Sequence, residues 1–142
     1  MYVLDTSALL TVFYEEDGAP RVLEILEPPE SRPDAENERP RVYLPFMTLM
    51  EFEYLASRRF GASVVDQALR MVGAWPVERV DSSPEWGSYA ARVKAGAGLS
   101  VADAWNAALA LMLDAELVHK DPEFDRVEGL RHLRLPYKDK KR

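Results

Sequence analysis

Short apolar segments alternate with longer helix-compatible segments along this chain, and this alternation constrains its fold more than any other feature. The apolar segments have the length of buried strands, and the intervening segments carry the cap residues and apolar spacing that favour helices. Because each parallel crossover normally needs a helix, the alternation predicts an α/β fold with a mostly parallel sheet covered on both faces. The predicted strands are residues 2–4, 42–44, 77–80 and 116–118, and the predicted helices are residues 8–14, 21–26, 46–60, 63–72, 84–94 and 100–115.

The length of 142 residues is enough for one compact domain with a buried core and leaves no room for a second. We expect residues 1–137 to form that single domain and residues 138–142 to form a basic C-terminal tail in contact with solvent. Residues 28–41 contain four prolines and several charges, which is typical of an exposed loop.

The residue types present limit the kind of metal that the chain could bind. There is no cysteine, so thiolate sites and disulfides are excluded. Two histidines stand against 24 acidic side chains, so oxygen ligands dominate. A bound cation would therefore be a hard one, such as Mg²⁺ or Mn²⁺, rather than zinc.

The start of the chain and its charge bear on where it works and what it binds. It begins without the basic start and apolar stretch of a signal peptide, and its longest apolar run, residues 107–113, is too short to span a bilayer. We therefore expect a cytoplasmic protein. The net charge of −6 argues against broad attraction to nucleic acid, because that attraction comes from lysine and arginine neutralising phosphates.

Three acidic residues occupy positions that have both a functional and a structural interpretation. Asp5 and Asp121 each follow a predicted strand, where ligands bind in open α/β sheets, but each could equally cap the next helix. Asp103 lies three residues after Ser100, which is the spacing of a helix capping box. It also shares a helical stripe with Asn106, so this stripe faces either solvent or an acidic pocket.

Glu51 lacks such a structural interpretation. Its neighbours one turn away on the predicted helix are Met47, Tyr54 and Leu55, which form an apolar strip that should face the core. A buried carboxylate needs a partner. The sequence therefore predicts that a cation or Arg58, the next basic residue on that face, satisfies Glu51.

Four segments, taken together, resemble PIN-domain nucleases and above all the VapC-type toxins of bacterial and archaeal toxin–antitoxin pairs. The segments occur in the order found in that family and span the chain from Met1 to about Arg131. They are VLDTSAL at residues 3–9, TLME at 48–51, LSVADAWNAA at 99–108 and LVHKDPEF at 117–124.

The resemblance implies a three-layer α/β/α PIN-like domain, usually a homodimer, with one or two Mg²⁺ or Mn²⁺ ions on a carboxylate cluster. It implies that Asp5, Asp103 and Asp121 bind metal directly and that Glu51 acts through water, all four being catalytic. Thr6 and Ser7 match the hydroxyl positions of the family and, with Arg58, are candidate supporting residues. His119 stands where many members have serine or threonine, and we interpret it as a histidine near the surface at a strand end rather than as a ligand.

The function implied is that of a metal-dependent endoribonuclease that hydrolyses RNA phosphodiester bonds, with a cognate antitoxin protein as partner. Basic residues near the site would contact RNA phosphates, and Arg58, Arg59, Lys94, Lys120 and Arg126 are the candidates. One alternative is a PIN-like RNA-binding module that has lost catalysis. Another is a receiver-like Mg²⁺-binding signalling domain, which would need a phosphoacceptor aspartate at the end of a central strand.

Overall fold

The computed structural model describes residues 1–27 and 39–137 of the chain. Most of the predicted loop at 28–41 and all of the predicted basic tail at 138–142 lie outside the described residues. The strands of the described part are β1 (Tyr2–Leu4), β2 (Val42–Pro45), β3 (Glu78–Val80), β4 (Glu116–His119) and β5 (Arg131–Arg134). Its helices are α1 (Thr6–Phe13), α2 (Ala19–Leu26), α3 (Phe46–Phe60), α4 (Ala62–Gly73), α5 (Pro84–Ala97) and α6 (Val101–Leu113), with a 3₁₀ helix at Pro122–Arg126.

The five strands form one parallel sheet in the order β3-β2-β1-β4-β5. The chain builds outward from β1 to β3 on one side and then returns to add β4 and β5 on the other. Val3 of β1 is in register with Tyr43 of β2 and with Leu117 of β4. The order therefore reverses between β1 and β4, and a crevice for ligands is expected at the carboxyl ends of these two strands.

Alternate residues of each strand face opposite sides of the sheet, and each side has its own buried core. Val3 and Leu117 belong to the cluster that α5 and α6 cover, together with the buried side chain of Trp86. Leu4 and Val118 belong to the second cluster, which the helices α1 to α4 cover. The predicted three-layer α/β/α fold is confirmed, and the sheet is parallel throughout.

Two parts of the fold differ from the sequence-based expectations. The helix α5 continues through Gly96 to Ala97, and Gly98 ends it in the left-handed conformation with φ of 67°, a backbone region that glycine enters without steric cost. The strand β5 was not predicted, because Arg131–Arg134 is half charged and only its middle residues are partly buried. Such a charged composition is typical of an edge strand.

No single helix among the described residues is long and apolar enough to cross a membrane. The bent pair α5 and α6 reaches that length only when the two are counted together, and both helices contribute to the buried core.

Candidate active site

Asp5 lies at the end of β1 and is held by hydrogen bonds on both carboxylate oxygens. It is the N-cap of α1: one oxygen accepts from the Ser7 amide at 3.1 Å and from the Ser7 hydroxyl. The other oxygen accepts from the Asn106 side-chain amide at 2.9 Å. Only 3% of Asp5 is exposed, and this burial raises its pKa against the opposing effect of the hydrogen bonds. The predicted capping role is present, and it leaves part of the carboxylate available to a ligand.

Asn106 connects three elements beneath the crevice. Its side-chain nitrogen donates to Asp5 and also to the Thr48 hydroxyl, at 3.1 Å, and Thr48 in turn donates to the Leu4 carbonyl at 2.8 Å. Asn106 is fully buried, and its side-chain oxygen has no hydrogen-bond partner among the described residues. Of the two environments considered for the stripe of Asp103 and Asn106, the structure places Asn106 against the acids.

Asp103 lies in the first turn of α6 and, like Asp5, has a carboxyl pKa above the ordinary value. The Ser100 hydroxyl caps the helix by accepting from the Asp103 amide at 3.2 Å. Burial raises the pKa of the Asp103 carboxyl to about 7, and the nearby charges of Asp5, Asp121 and Glu51 add to the effect. A carboxylate among other carboxylates resists ionisation unless a cation compensates it.

Asp121 follows β4 across the crevice and, with Asp103, forms part of a compact group of ligand atoms. The side chain of Asp121 caps the 3₁₀ helix by accepting from the Glu123 amide at 2.9 Å. One carboxylate oxygen from each of Asp103, Asp121 and Glu123 lies within 4.8 Å of the other two. Among the described residues this is the group whose spacing suits one metal ion.

Glu123 was not among the predicted site residues. The only signal in the sequence is an acidic residue in the first turn after Asp121-Pro122, and such residues commonly complement the positive end of a helix without any catalytic role. It is exposed and forms an ion pair with Arg126 at 3.4 Å. Its inclusion comes from the fold, which turns the 3₁₀ helix toward the start of α6.

Glu51 faces the other acids, but not for the predicted reason. The buried face of α3 consists of Thr48, Phe52 and Ala56, whereas Tyr54, expected in the core, is 52% exposed. Glu51 is half-buried at the border of that face, and its charge raises the pKa of both Asp5 and Asp103.

The expected contact between Arg58 and Glu51 is not found among the described residues. Arg58 is exposed and donates instead to the Tyr54 hydroxyl at 2.9 Å. The prediction that Arg58 satisfies Glu51 is therefore wrong, and the alternative of a cation stays a prediction.

The two hydroxyl residues after Asp5 have different surroundings. The Ser7 hydroxyl donates to Asp5 and accepts from the Lys120 amide at 2.9 Å, so it ties the ends of β1 and β4 together. Thr6 is buried, and its hydroxyl has no hydrogen-bond partner in the part of the chain that the structure describes.

His119 is fully buried, so its interpretation as a residue near the surface was wrong. Its ring packs edge-on against Phe124 at 4.8 Å between centroids. Its Nδ1 accepts from the Asp121 amide at 3.1 Å, which leaves the proton on Nε2, 2.8 Å from His132 Nδ1. Burial and the neighbouring charges of His132 and Arg134 lower the pKa of His119 to about 4. The ring is therefore neutral, and it holds the backbone at Asp121.

The five predicted phosphate contacts lie in three different surroundings. Lys120, directly before Asp121, forms an ion pair with Glu16 at 3.8 Å. Arg126 pairs with Glu123, and Lys94 donates to the Leu99 carbonyl at 2.7 Å near the start of α6. Arg58 and Arg59 instead line a separate cavity of about 440 Å³ between α1 and α3. Among the described residues, Arg126 is the predicted phosphate contact that forms an ion pair with a member of the acidic group.

Three solved structures of toxins or toxin–antitoxin complexes are similar to the chain in fold. VapBC2 of Rickettsia felis, bound to a promoter DNA fragment, has a TM-score of 0.74 and 18% identity, with 95% of this chain and 98% of the other covered. VapC20 of Mycobacterium tuberculosis, described as a Sarcin-Ricin loop cleaving toxin, has a TM-score of 0.71 and 19% identity, with 94% and 99% covered. A toxin–antitoxin complex of Klebsiella pneumoniae has a TM-score of 0.68 and 18% identity, with 97% and 100% covered.

No curated protein is significantly similar in sequence. The model of one protein family, described as PIN domain, matches residues 2–130 of this chain. The matched range includes all five acidic residues of the site. The acids at the carboxyl ends of β1 and β4, the parallel sheet and this match agree, and the chain belongs to the PIN domain family.

Proposed function

We propose that this chain is a Mg²⁺- or Mn²⁺-dependent endoribonuclease and the toxin of a type II toxin–antitoxin pair. The observation that carries the proposal is the group formed by Asp103, Asp121 and Glu123 at the carboxyl ends of the strands, with Asp5 and Glu51 close enough to raise the pKa of Asp103. Such perturbed carboxylates in a crevice are typical of a functional site.

The residues of this group fit a hard divalent cation. All the side-chain ligands are carboxylate oxygens, which Mg²⁺ and Mn²⁺ prefer. Burial, and after it the negative charges of Asp5, Asp121 and Glu51, raise the pKa of Asp103, and a bound cation would offset both effects. Asp5, Asp103 and Asp121 are the proposed direct ligands, and Glu123 joins them because its carboxylate lies close to those of Asp103 and Asp121. Glu51 is proposed to act through water.

A divalent cation held there would supply Lewis-acid stabilisation of the charge that develops on a phosphate during hydrolysis. The side chains of the protein provide the preorganised frame for it. Ser7 and Asn106 fix the carboxylate of Asp5, and His119 fixes the backbone at Asp121. Glu51, on the opposite helix and free of the backbone caps that hold Asp5 and Asp121, is the proposed residue that orients a water molecule.

RNA is the proposed substrate class. One structural relative is described as cleaving the Sarcin-Ricin loop, and the acidic set expected for catalysis is intact here, which favours an enzyme over a binding module without activity. The receiver-like alternative is set aside because its strand order is 2-1-3-4-5, whereas this sheet has the order 3-2-1-4-5.

Structural relatives include complexes of toxin with antitoxin, which supports an inhibitory antitoxin protein for this chain. A homodimer and a cytoplasmic location complete the proposal. Co-purification of the protein from its native host tests for the antitoxin.

A cleavage assay on a mixed RNA pool tests the proposed activity directly. We expect cleavage with Mg²⁺ or Mn²⁺, none with a chelator, and none with the Asp5→Asn variant, because each change removes part of the charge balance of the site. Circular dichroism verifies that the variant is folded, and Asp66→Asn on the exposed face of α4 is the matched control. Equal cleavage under all three conditions would contradict the proposal, and RNA binding without cleavage would favour the inactive module.

The hydrogen bond from the Asp121 amide to His119 Nδ1 predicts that changes at residue 119 alter metal binding. In His119→Asn the side-chain oxygen can occupy the place of Nδ1 and still accept from the Asp121 amide, whereas His119→Gln places its amide where Nε2 was. We expect the Gln variant to bind Mn²⁺ roughly 10–100-fold more weakly, the usual effect of losing an outer partner of a metal ligand, and the Asn variant to keep most of the affinity.

Calorimetric titration with Mn²⁺ measures this difference without any RNA. His132→Asn, which alters the other end of the histidine pair, is the matched control and should leave Mn²⁺ affinity unchanged. Equal affinities of the Asn and Gln variants of His119 would show that the imidazole does not position Asp121.

A further inference from the structure

A cavity of about 360 Å³ lies between α5, α6 and the end of the 3₁₀ helix. Its lining combines the apolar side chains of Val93, Leu111 and Val127 with the ring of Tyr89 and with Arg92 and Arg126. The volume falls near the lower end of the range of small-molecule sites, about 300–1,000 Å³. An apolar wall beside an aromatic ring and two guanidinium groups is suited to a ligand that is flat at one end and anionic at the other.

The cavity adjoins the acidic group. The 3₁₀ helix starts directly after Asp121 and ends at Arg126, which lines the cavity. Arg126 also pairs with Glu123 at 3.4 Å and lies beside Gly98, at the turn between α5 and α6. Since a 3₁₀ helix rises about 2 Å per residue, Glu123 and Arg126 are separated by roughly 6 Å along its axis. A chain of one or two nucleotides can connect the two places.

The charge of the cavity is opposite to that of the protein as a whole. Two arginines and one carboxylate, Glu128, line it, whereas the net charge of the chain is −6. Arg92 lies over the ring of Tyr89 at 5.2 Å, and no carboxylate of the described residues forms an ion pair with it. Positive charge in a recess attracts an anion, even on an acidic protein.

We propose that this cavity binds one nucleotide of a single-stranded RNA that extends from the cleavage position. The base packs against the apolar wall and Tyr89, and the phosphate lies between Arg92 and Arg126. Aromatic rings and guanidinium planes stack on unpaired bases, and guanidinium matches the geometry of phosphate. The base must be unpaired to enter the cavity. The proposal rests on the proposed ribonuclease function.

Titration of the ¹⁵N-labelled protein with AMP, in chelator, tests the cavity by NMR. We expect amide resonances within residues 89–97 and 126–128 to shift, and we expect adenosine and inorganic phosphate to bind at least about 10-fold more weakly, since each lacks half of the contacts. Arg92→Gln should weaken AMP binding about 10-fold, the effect of losing one charge-assisted hydrogen bond. Arg70→Gln on α4, across the sheet, is the matched control and should leave it unchanged.

Three outcomes would overturn the proposal. These are the absence of shifts at the cavity, shifts of equal size elsewhere, and phosphate binding as tight as that of AMP, which would indicate a simple anion site. With RNA and Mg²⁺, Arg92→Gln should raise KM and leave kcat unchanged, because the contact is equal in the ground and transition states. The AMP titration does not depend on cleavage. If the protein bound AMP at the cavity but did not cleave RNA, the proposed nucleotide site would stand and the proposed nuclease activity would be contradicted.

Discussion

Replacing Asp103 with asparagine is expected to make the protein more stable in chelator and to abolish most of the proposed RNA cleavage. The carboxyl has a pKa of about 7 in the folded protein, against 3.8 for an ordinary aspartate, because it is buried among Asp5, Asp121 and Glu51. The folded state thus binds this proton more tightly than the unfolded state, so stability from this group is present at low pH and is lost as the pH rises from 3.8 to 7.

The size of the effect follows from that difference in pKa. Each pKa unit corresponds to about 1.4 kcal/mol, and after a discount for partial solvent contact we expect Asp103→Asn to stabilise the protein by about 2 kcal/mol at pH 8 and by almost nothing at pH 4. Urea unfolding in chelator at the two pH values measures the change. Cleavage should fall by more than the roughly 10–100-fold loss typical of an outer partner.

The same measurement separates the two interpretations of Asp103. A role confined to helix capping would make Asp103→Asn neutral or destabilising at both pH values and would leave cleavage intact. Asp66→Asn, an exposed change of the same type on α4, should alter neither stability nor cleavage. A gain in stability with a loss of activity is the trade-off expected of a site that is strained for function.

The sequence predicts the layers of this fold well because they depend on local patterns. The absence of internal glycine and proline predicts α3 at its exact bounds, and apolar runs and cap residues predict most other elements within a few residues. The edge strand β5 escapes prediction because Arg131 and Arg134 give it no apolar run. Its pairing with β4 comes from the fold and not from propensity.

The candidate site is less visible in the sequence, because its members acquire their surroundings from distant elements. Glu51 was selected on the expectation of a buried strip, yet the exposure of Tyr54 shows that the packing of α3 is rotated toward Thr48 and Phe52. The sequence predicts His119 near the surface, but β5 covers it with His132. The spacing of residues along one element does not show which other element packs against a given face of it.

The side chain of Asn106 forms its hydrogen bonds with residues that are remote in sequence. Its amide donates to Asp5, 101 residues away, and to Thr48, 58 residues away. We expect Asn106→Ala to destabilise the protein by about 2–4 kcal/mol, since it removes two buried hydrogen bonds and leaves a small cavity. That change cannot distinguish the loss of the donor from the loss of packing.

Asn106→Asp keeps the shape and changes only the hydrogen-bonding atom and the charge, so it isolates the contact with Asp5. Two carboxylates at this separation cannot both ionise, and we expect a loss of about 4 kcal/mol at pH 8, similar to that of a broken buried pair. At pH 5 a proton shared between residues 5 and 106 restores the donor, and the loss should shrink to about 1 kcal/mol. The sign follows because the introduced carboxyl has a raised folded pKa, so its penalty grows with pH.

Urea unfolding of the variant at pH 5 and pH 8, in chelator, measures this recovery. Gln67→Glu adds the same charge to an exposed position of α4 and should change stability by less than about 0.5 kcal/mol at either pH. A variant Asn106→Asp as stable as the parent at pH 8 would show that no donor at residue 106 is needed by Asp5. Recovery at low pH would instead establish that the carboxylate of Asp5 needs a hydrogen-bond donor at residue 106, which is the contact that holds it beside Asp103.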